Sequence, residues 1–328
     1  MISCTEFIPF YSEVFKYLES KKGRAEVDRY WDDIFSPDDM DALRQQCIDH
    51  GVRGCWNYFT HTLNEEAADF TMYLNEKQGW YRTKMHRCPS KGKLLDLKAE
   101  FGYEPFHDYC LHCDFYRLAL HEAGLEYIFD FDGIDEAKCL EFAYDPKIFD
   151  GRIIIDEDTE IQDVRASDNE YFHRDFNIGY QKSLRYLEKN FGHEGIVEYF
   201  RIATKNVYVP VIRAIREGFE DGKTAADGAN AGAKGLAAIE AKIRDSYHRE
   251  HADDAVAIKN DGKTLSVTVK YCPVVKYIKD NGAYLSGEYR YATEIPMRVL
   301  AEEGGYAFEM VSYDEETGAA EYTFTARA

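Results

Sequence analysis

No stretch of this 328-residue chain approaches the roughly 20 consecutive apolar residues that a membrane-crossing helix needs. Basic residues are short relative to acidic ones: 40 Lys and Arg face 60 Asp and Glu, a net charge of −20. The acids are spread along the chain, so a phosphate backbone or an anionic bilayer would be repelled at long range. That argues against nucleic acid and membrane surfaces as partners and leaves a small-molecule substrate or ligand. The opening residues, Met1-Ile2-Ser3-Cys4, carry no basic segment followed by an apolar one, which predicts a cytoplasmic protein. Also missing are a Gly-rich dinucleotide turn opening a strand-helix unit, a phosphate-cradling loop of the G-x-x-x-x-G-K-[ST] type, and a G-x-S-x-G elbow. The usual nucleotide sites and the nucleophile-elbow serine hydrolases are thereby unsupported.

What is present is ample material for a core: 45% hydrophobic residues, including 20 Phe and 25 Tyr. One phrase is spelled twice. Trp80 to Arg87 alternates like a half-buried strand and ends at Cys88-Pro89, and Leu265 to Tyr271 does the same and ends at Cys272-Pro273. Each copy runs on into a helical, Lys-containing stretch (Lys91 to Lys98; Val274 to Asp280). Upstream, Ser36-Pro37-Asp38-Asp39 predicts a helix start whose buried face is Met40, Leu43, Cys47 and Ile48 and whose stop is Gly51. A further helix is expected from about Arg53 to Glu76. Downstream, Leu125 to Asp130 and Lys138 to Tyr144 flank Asp132-Gly133, the pattern of a β-hairpin. In the second half an Ala/Gly-rich stretch, Ala225 to Ala238, precedes the repeat, and Glu303 to Met310 and Ala320 to Thr325 match the first hairpin. The expected fold is therefore α+β, a tandem duplication of a module with N-terminal helices and a small antiparallel sheet with helices packed on it. The expected division is residues 1–148, a bridging segment 149–176, and a second, degenerate repeat 177–328.

The eight cysteines are scattered through an acidic chain, which favours reduced thiols or metal ligands over structural disulfides. Only the first half continues into Tyr109-Cys110-Leu111-His112-Cys113-Asp114. Aligned with Cys110 and Cys113 in the second half are Tyr291 and Glu294. Three readings stay open. Cys88, Cys110, Cys113 and Cys139 could hold zinc or an iron-sulfur cluster, a C-x-x-C turn completed by sulfurs on neighbouring elements. Cys110 or Cys113 could instead be a nucleophile, with His107 or His112 as base and Asp114 as orienter at a helix start whose field lowers a thiol pKa. Or the thiols are small buried hydrophobes. The segment Tyr171 to Phe176 places His173 and Arg174 among aromatics, where they could bind a substrate carboxylate, Arg174 in bidentate fashion; the alternative is an interdomain strap. Tyr247-His248-Arg249-Glu250-His251 lacks the spacing of a zinc helix and reads as a solvated helix end.

Arg87-Cys88-Pro89, Tyr109 to Asp114, Leu125-Glu126-Tyr127 and Cys139-Leu140-Glu141-Phe142 together resemble the L-2-amino-thiazoline-4-carboxylic acid hydrolase-like family. The resemblance covers roughly residues 55 to 145 and, without the Cys motif, 240 to 325. It implies opening of a small cyclic amidine or amide: water or a thiolate adds to the ring C=N carbon, and a general acid protonates the departing nitrogen or sulfur.

Overall fold

The computed structural model describes residues 1–220 and 231–327; the part of the Ala/Gly-rich stretch from Ala225 to Asn230 lies outside them. The fold is α+β: helices accompanied by two small antiparallel sheets of five and four strands. By their internal contacts the residues form two units, one of residues 15–96 and 105–173, the other of residues 1–14, 97–104 and 174–328. Fourteen residues from the start of the expected first repeat thus group with the second half.

Four helices come first: α1 (Phe7–Lys22), α2 (Arg24–Ile34), α3 (Asp41–His50) and α4 (Val52–Glu65). Gly51, at φ 58°, makes the corner between α3 and α4, and its N–H bonds back to the Cys47 carbonyl at 2.8 Å. Leu43 and Cys47 are buried as expected, but Ile48 is 51% exposed. The helix expected to reach Glu76 stops at Glu65. Ala67 takes the left-handed conformation, φ 48°, which breaks the helical ladder. From there Phe70, Met72 and Leu74 alternate inward as strand β1 (Asp69–Asn75), which pairs with β2 (Trp80–Arg87).

Then follow α5 (Pro89–Phe101), a 3₁₀ turn over Tyr109–Phe115, α6 (Tyr116–Glu122), β3 (Glu126–Asp130), β4 (Cys139–Tyr144) and β5 (Glu160–Val164). The sheet order is β3-β4-β2-β1-β5, so the 149–176 segment supplies an edge strand. Rows across the core face read Leu74, Tyr81, Ala143, Tyr127 and, next, Met72, Thr83, Glu141, Phe129. Helix α4 packs over β1, β2 and β4, and α6 over β3.

The second unit holds α7 (Asp175–Glu220, broken at Gly192 with φ 66°), α8 (Ala231–His248), β6 (Val256–Asn260), β7 (Thr264–Val269), α9 (Pro273–Asp280), α10 (Tyr291–Gly304), β8 (Tyr306–Tyr313) and β9 (Ala320–Ala326). Its sheet order, β6-β7-β9-β8, repeats β1-β2-β4-β3 of the first sheet in the same chain succession. The two Cys-Pro junctions are built alike. The Cys88 N–H bonds to the Ala137 carbonyl at 2.6 Å and the Cys272 N–H to the Thr317 carbonyl at 2.9 Å, each tying the end of a strand to the turn of the following hairpin.

Candidate functional site

The 3₁₀ turn carries the cysteine motif. His112 is buried; its Nδ1–H donates to the Tyr109 carbonyl, which leaves Nε2 as the acceptor facing the Cys113 sulfur at 3.6 Å. Burial depresses the imidazole pKa to about 4, only partly offset by the Tyr109 carbonyl. Cys113 is pushed well above the ordinary thiol value, first by burial, then by Cys110 and Glu141. The pair is thus a neutral thiol against a neutral imidazole, the opposite of a thiolate-imidazolium couple.

The remaining thiols behave the same way. Burial lifts Cys88 to about 12 and Cys110 to about 11; Lys91, itself buried, pulls Cys110 down. Cys139 is raised by burial and by Glu141. His107 is exposed and faces Glu19 and Asp108 at 3.8 and 3.5 Å, and Asp114 accepts from Arg117 Nε at 3.0 Å. Neither is paired with a cysteine. Among the described residues no group of three or more His, Cys, Asp and Glu is placed so that it could hold a metal ion.

Cys113 and Cys139 share a neighbour that sequence reasoning passed over. Glu141 lies in phase with Cys139 on the core face of β4, between Thr83 and Phe129. It is 7% exposed, and its Oε2 has no hydrogen-bond partner; the same is true of the buried Tyr127 hydroxyl. Burial raises the Glu141 carboxyl to about 7. Glu66, closing α4, rises to about 8 by burial and by the charges of Glu141 and Glu65. Negative charge on Glu141 would also push up Tyr81, Tyr116 and Tyr127. Two carboxylic acids poised near neutrality, Glu141 buried and Glu66 half-buried, thus stand beside aromatic rings and thiols. The sequence signal was available: the period-2 register that turns Cys139 inward turns Glu141 inward as well.

His173 and Arg174 part company. His173 Nδ1 is 2.8 Å from Glu65 Oε2 in the first unit. Arg174 belongs to the second, where it donates to the Pro273 carbonyl at 3.2 Å, approaches Glu250 at 3.5 Å and lies over the Tyr277 ring at 4.2 Å. Glu250 is buried and accepts the Cys4 N–H at 2.6 Å, so this side chain and Tyr247 face that unit's interior, while His248, Arg249 and His251 are exposed as a solvated helix end would have them. At the positions of Cys139 and Glu141 the second sheet has Ala320 and Tyr322, three residues before its Cys-Pro on the paired strand and one row further. Glu294, aligned with Cys113, is bracketed by Arg290 and Arg298 at 2.9 and 2.7 Å.

Neither protein-family models, curated proteins nor solved structures give a match to this chain.

Proposed function

We propose that the first unit is a hydrolase for a small cyclic amidine or amide, with Glu141 and Glu66 as its acid-base pair, and that the second unit is a diverged copy without that chemistry. The observation that carries this reading is that Glu141 Oε2 and the Tyr127 hydroxyl, in adjacent rows of one core face, are both buried without a hydrogen-bond partner. An unpartnered acid with a pKa near 7 costs stability in such a place, a cost retained where function needs it, and it suits proton transfer at neutral pH.

Water adds to the ring C=N carbon while one carboxylate takes its proton. The tetrahedral intermediate then breaks its C–N or C–S bond as the other carboxylic acid protonates the leaving atom. The electrostatics favour this over thiolate attack, since every thiol in the first unit whose pKa shifts has it raised. The expectation of Cys110 or Cys113 as nucleophile gives way to thiols that line the site, with Lys91 near Cys110. The test is hydrolysis of 2-aminothiazoline-4-carboxylate and simple cyclic amidines by wild type, Glu141→Gln and Cys113→Ser. Activity reduced about 10²-fold or more in Glu141→Gln and kept within about tenfold in Cys113→Ser supports the reading. Equal loss in both, or activity untouched in Glu141→Gln, overturns it.

A further inference from the structure

We propose that the outer face of α4 carries a second, separate binding site, for a small organic cation such as an aryl or alkyl amine. A groove of about 660 Å³ runs there, lined by Trp56, Asn57, Thr60, His61, Asn64 and Glu65 on the helix and by Asn169, Glu170 and Phe172 opposite. The volume falls within the range of small-molecule sites. The helical residues recur at four-residue spacing and so form one stripe, and the opposing segment is pinned against it. The Phe172 N–H donates to the Glu65 carbonyl at 2.8 Å, Asn169 Nδ2 to Asn64 Oδ1 at 3.1 Å, and His173 Nδ1 meets Glu65 Oε2 at 2.8 Å. Both walls are therefore held before any ligand arrives, which lowers the ordering cost of binding.

The lining sets the ligand class. It has two carboxylates, three asparagine amides, two large aromatic rings, one threonine hydroxyl and one imidazole, His61, and it has no Lys or Arg. For a phosphate or carboxylate the lining offers one imidazole, His61, which already faces Glu65 at 3.4 Å. A cation finds ring faces in Trp56 and Phe172, the acidic group of Glu170 together with that of Glu65, which it would share with His61 and His173, and amide carbonyls for its N–H bonds. The chain's charge of −20 would also draw cations toward the surface. None of Cys110, Cys113, His112 and Glu141 lines the groove, so the site does not rest on the hydrolytic reading.

Trp31 and Trp80 are 0% exposed, so Trp56 is the indole a soluble ligand can reach, and its fluorescence is the readout. Benzyltrimethylammonium titrated into the full chain at low salt should give a saturable change with a midpoint below about 1 mM, weakened about tenfold or more in Glu170→Lys. A Trp56→Leu variant, followed by calorimetry with circular dichroism confirming its fold, should lose most of the binding. The proposal is overturned by a response that does not saturate, by an affinity unchanged in both variants, or by an equal response to methyl glucoside, which would mark the groove as a polyol site.

Discussion

Glu141 and His112 sit in one interior yet respond to pH in opposite senses. The Glu141 pKa rises from 4.5 to about 7, so the folded protein holds a proton that the unfolded chain has released. Its stabilising effect is complete below about pH 4.5 and is lost as pH climbs through 7, on the order of 3 kcal/mol in all. The His112 pKa falls from 6.5 to about 4, so the stability it contributes is present above 6.5 and is lost as pH falls. Relative to wild type, Glu141→Gln should therefore become more stabilising as pH rises from about 4.5 to 7, and His112→Asn more stabilising as pH falls from about 6.5 to 4. Urea midpoints of the three proteins at pH 4.5, 5.5, 6.5 and 7.5 read both trends. Parallel curves would mean that neither group is buried as described. A gain in stability joined to a loss of activity in Glu141→Gln is what a functional, poorly solvated acid should show.

At the scale of the element, the repeated Cys-Pro is a helix start. Cys88 and Cys272 each begin a helix through their carbonyls, which accept from Gly92 and Lys276 at 2.8 and 3.0 Å. The Lys91 N–H also donates to the Cys88 sulfur at 3.4 Å, so the thiol takes the place of the usual N-cap oxygen. Cys88→Ser should keep the stability of the chain, whereas Cys88→Ala should cost about 1 kcal/mol in chemical denaturation. Gly318→Ala should cost more, about 2 kcal/mol or above: φ is 66° there and the new Cβ would stand 2.4 Å from that of Cys272. These junctions were legible because Pro and strand periodicity are local signals. β2, the hairpin β3-β4 and the Gly51 corner were legible for the same reason. The strands β1 and β6 were not, because Phe70, Met72 and Leu74 follow a helical stripe without a Gly or Pro between them, and the break rests on Ala67 alone. Within the site, the thiols drew attention by residue type. Glu141 needed the sheet register, which puts it inward among Thr83, Phe129 and Met72, before it could be told from a surface acid.

For the molecule as a whole, a charge of −20 at a pI near 4.9 means that the folded chain works against its own repulsion at neutral pH. Raising salt from about 10 to 150 mM should raise the melting temperature by a few degrees, because screening relieves the compact state more than the unfolded one. A melting temperature that falls with salt would show that the many surface ion pairs outweigh the repulsion. The first unit's fifth strand bears on how that unit comes together. Pairing of Phe70 with Val164 joins positions more than 90 residues apart, whereas β3-β4 and β1-β2 are hairpins. Closing so long a loop is entropically costly, so β5 should dock after the hairpins are in place. The residues that wall the α4 groove follow β5 within a few positions. That groove is then the last feature of the unit to mature, and a folding intermediate would bury its core before it could hold a ligand.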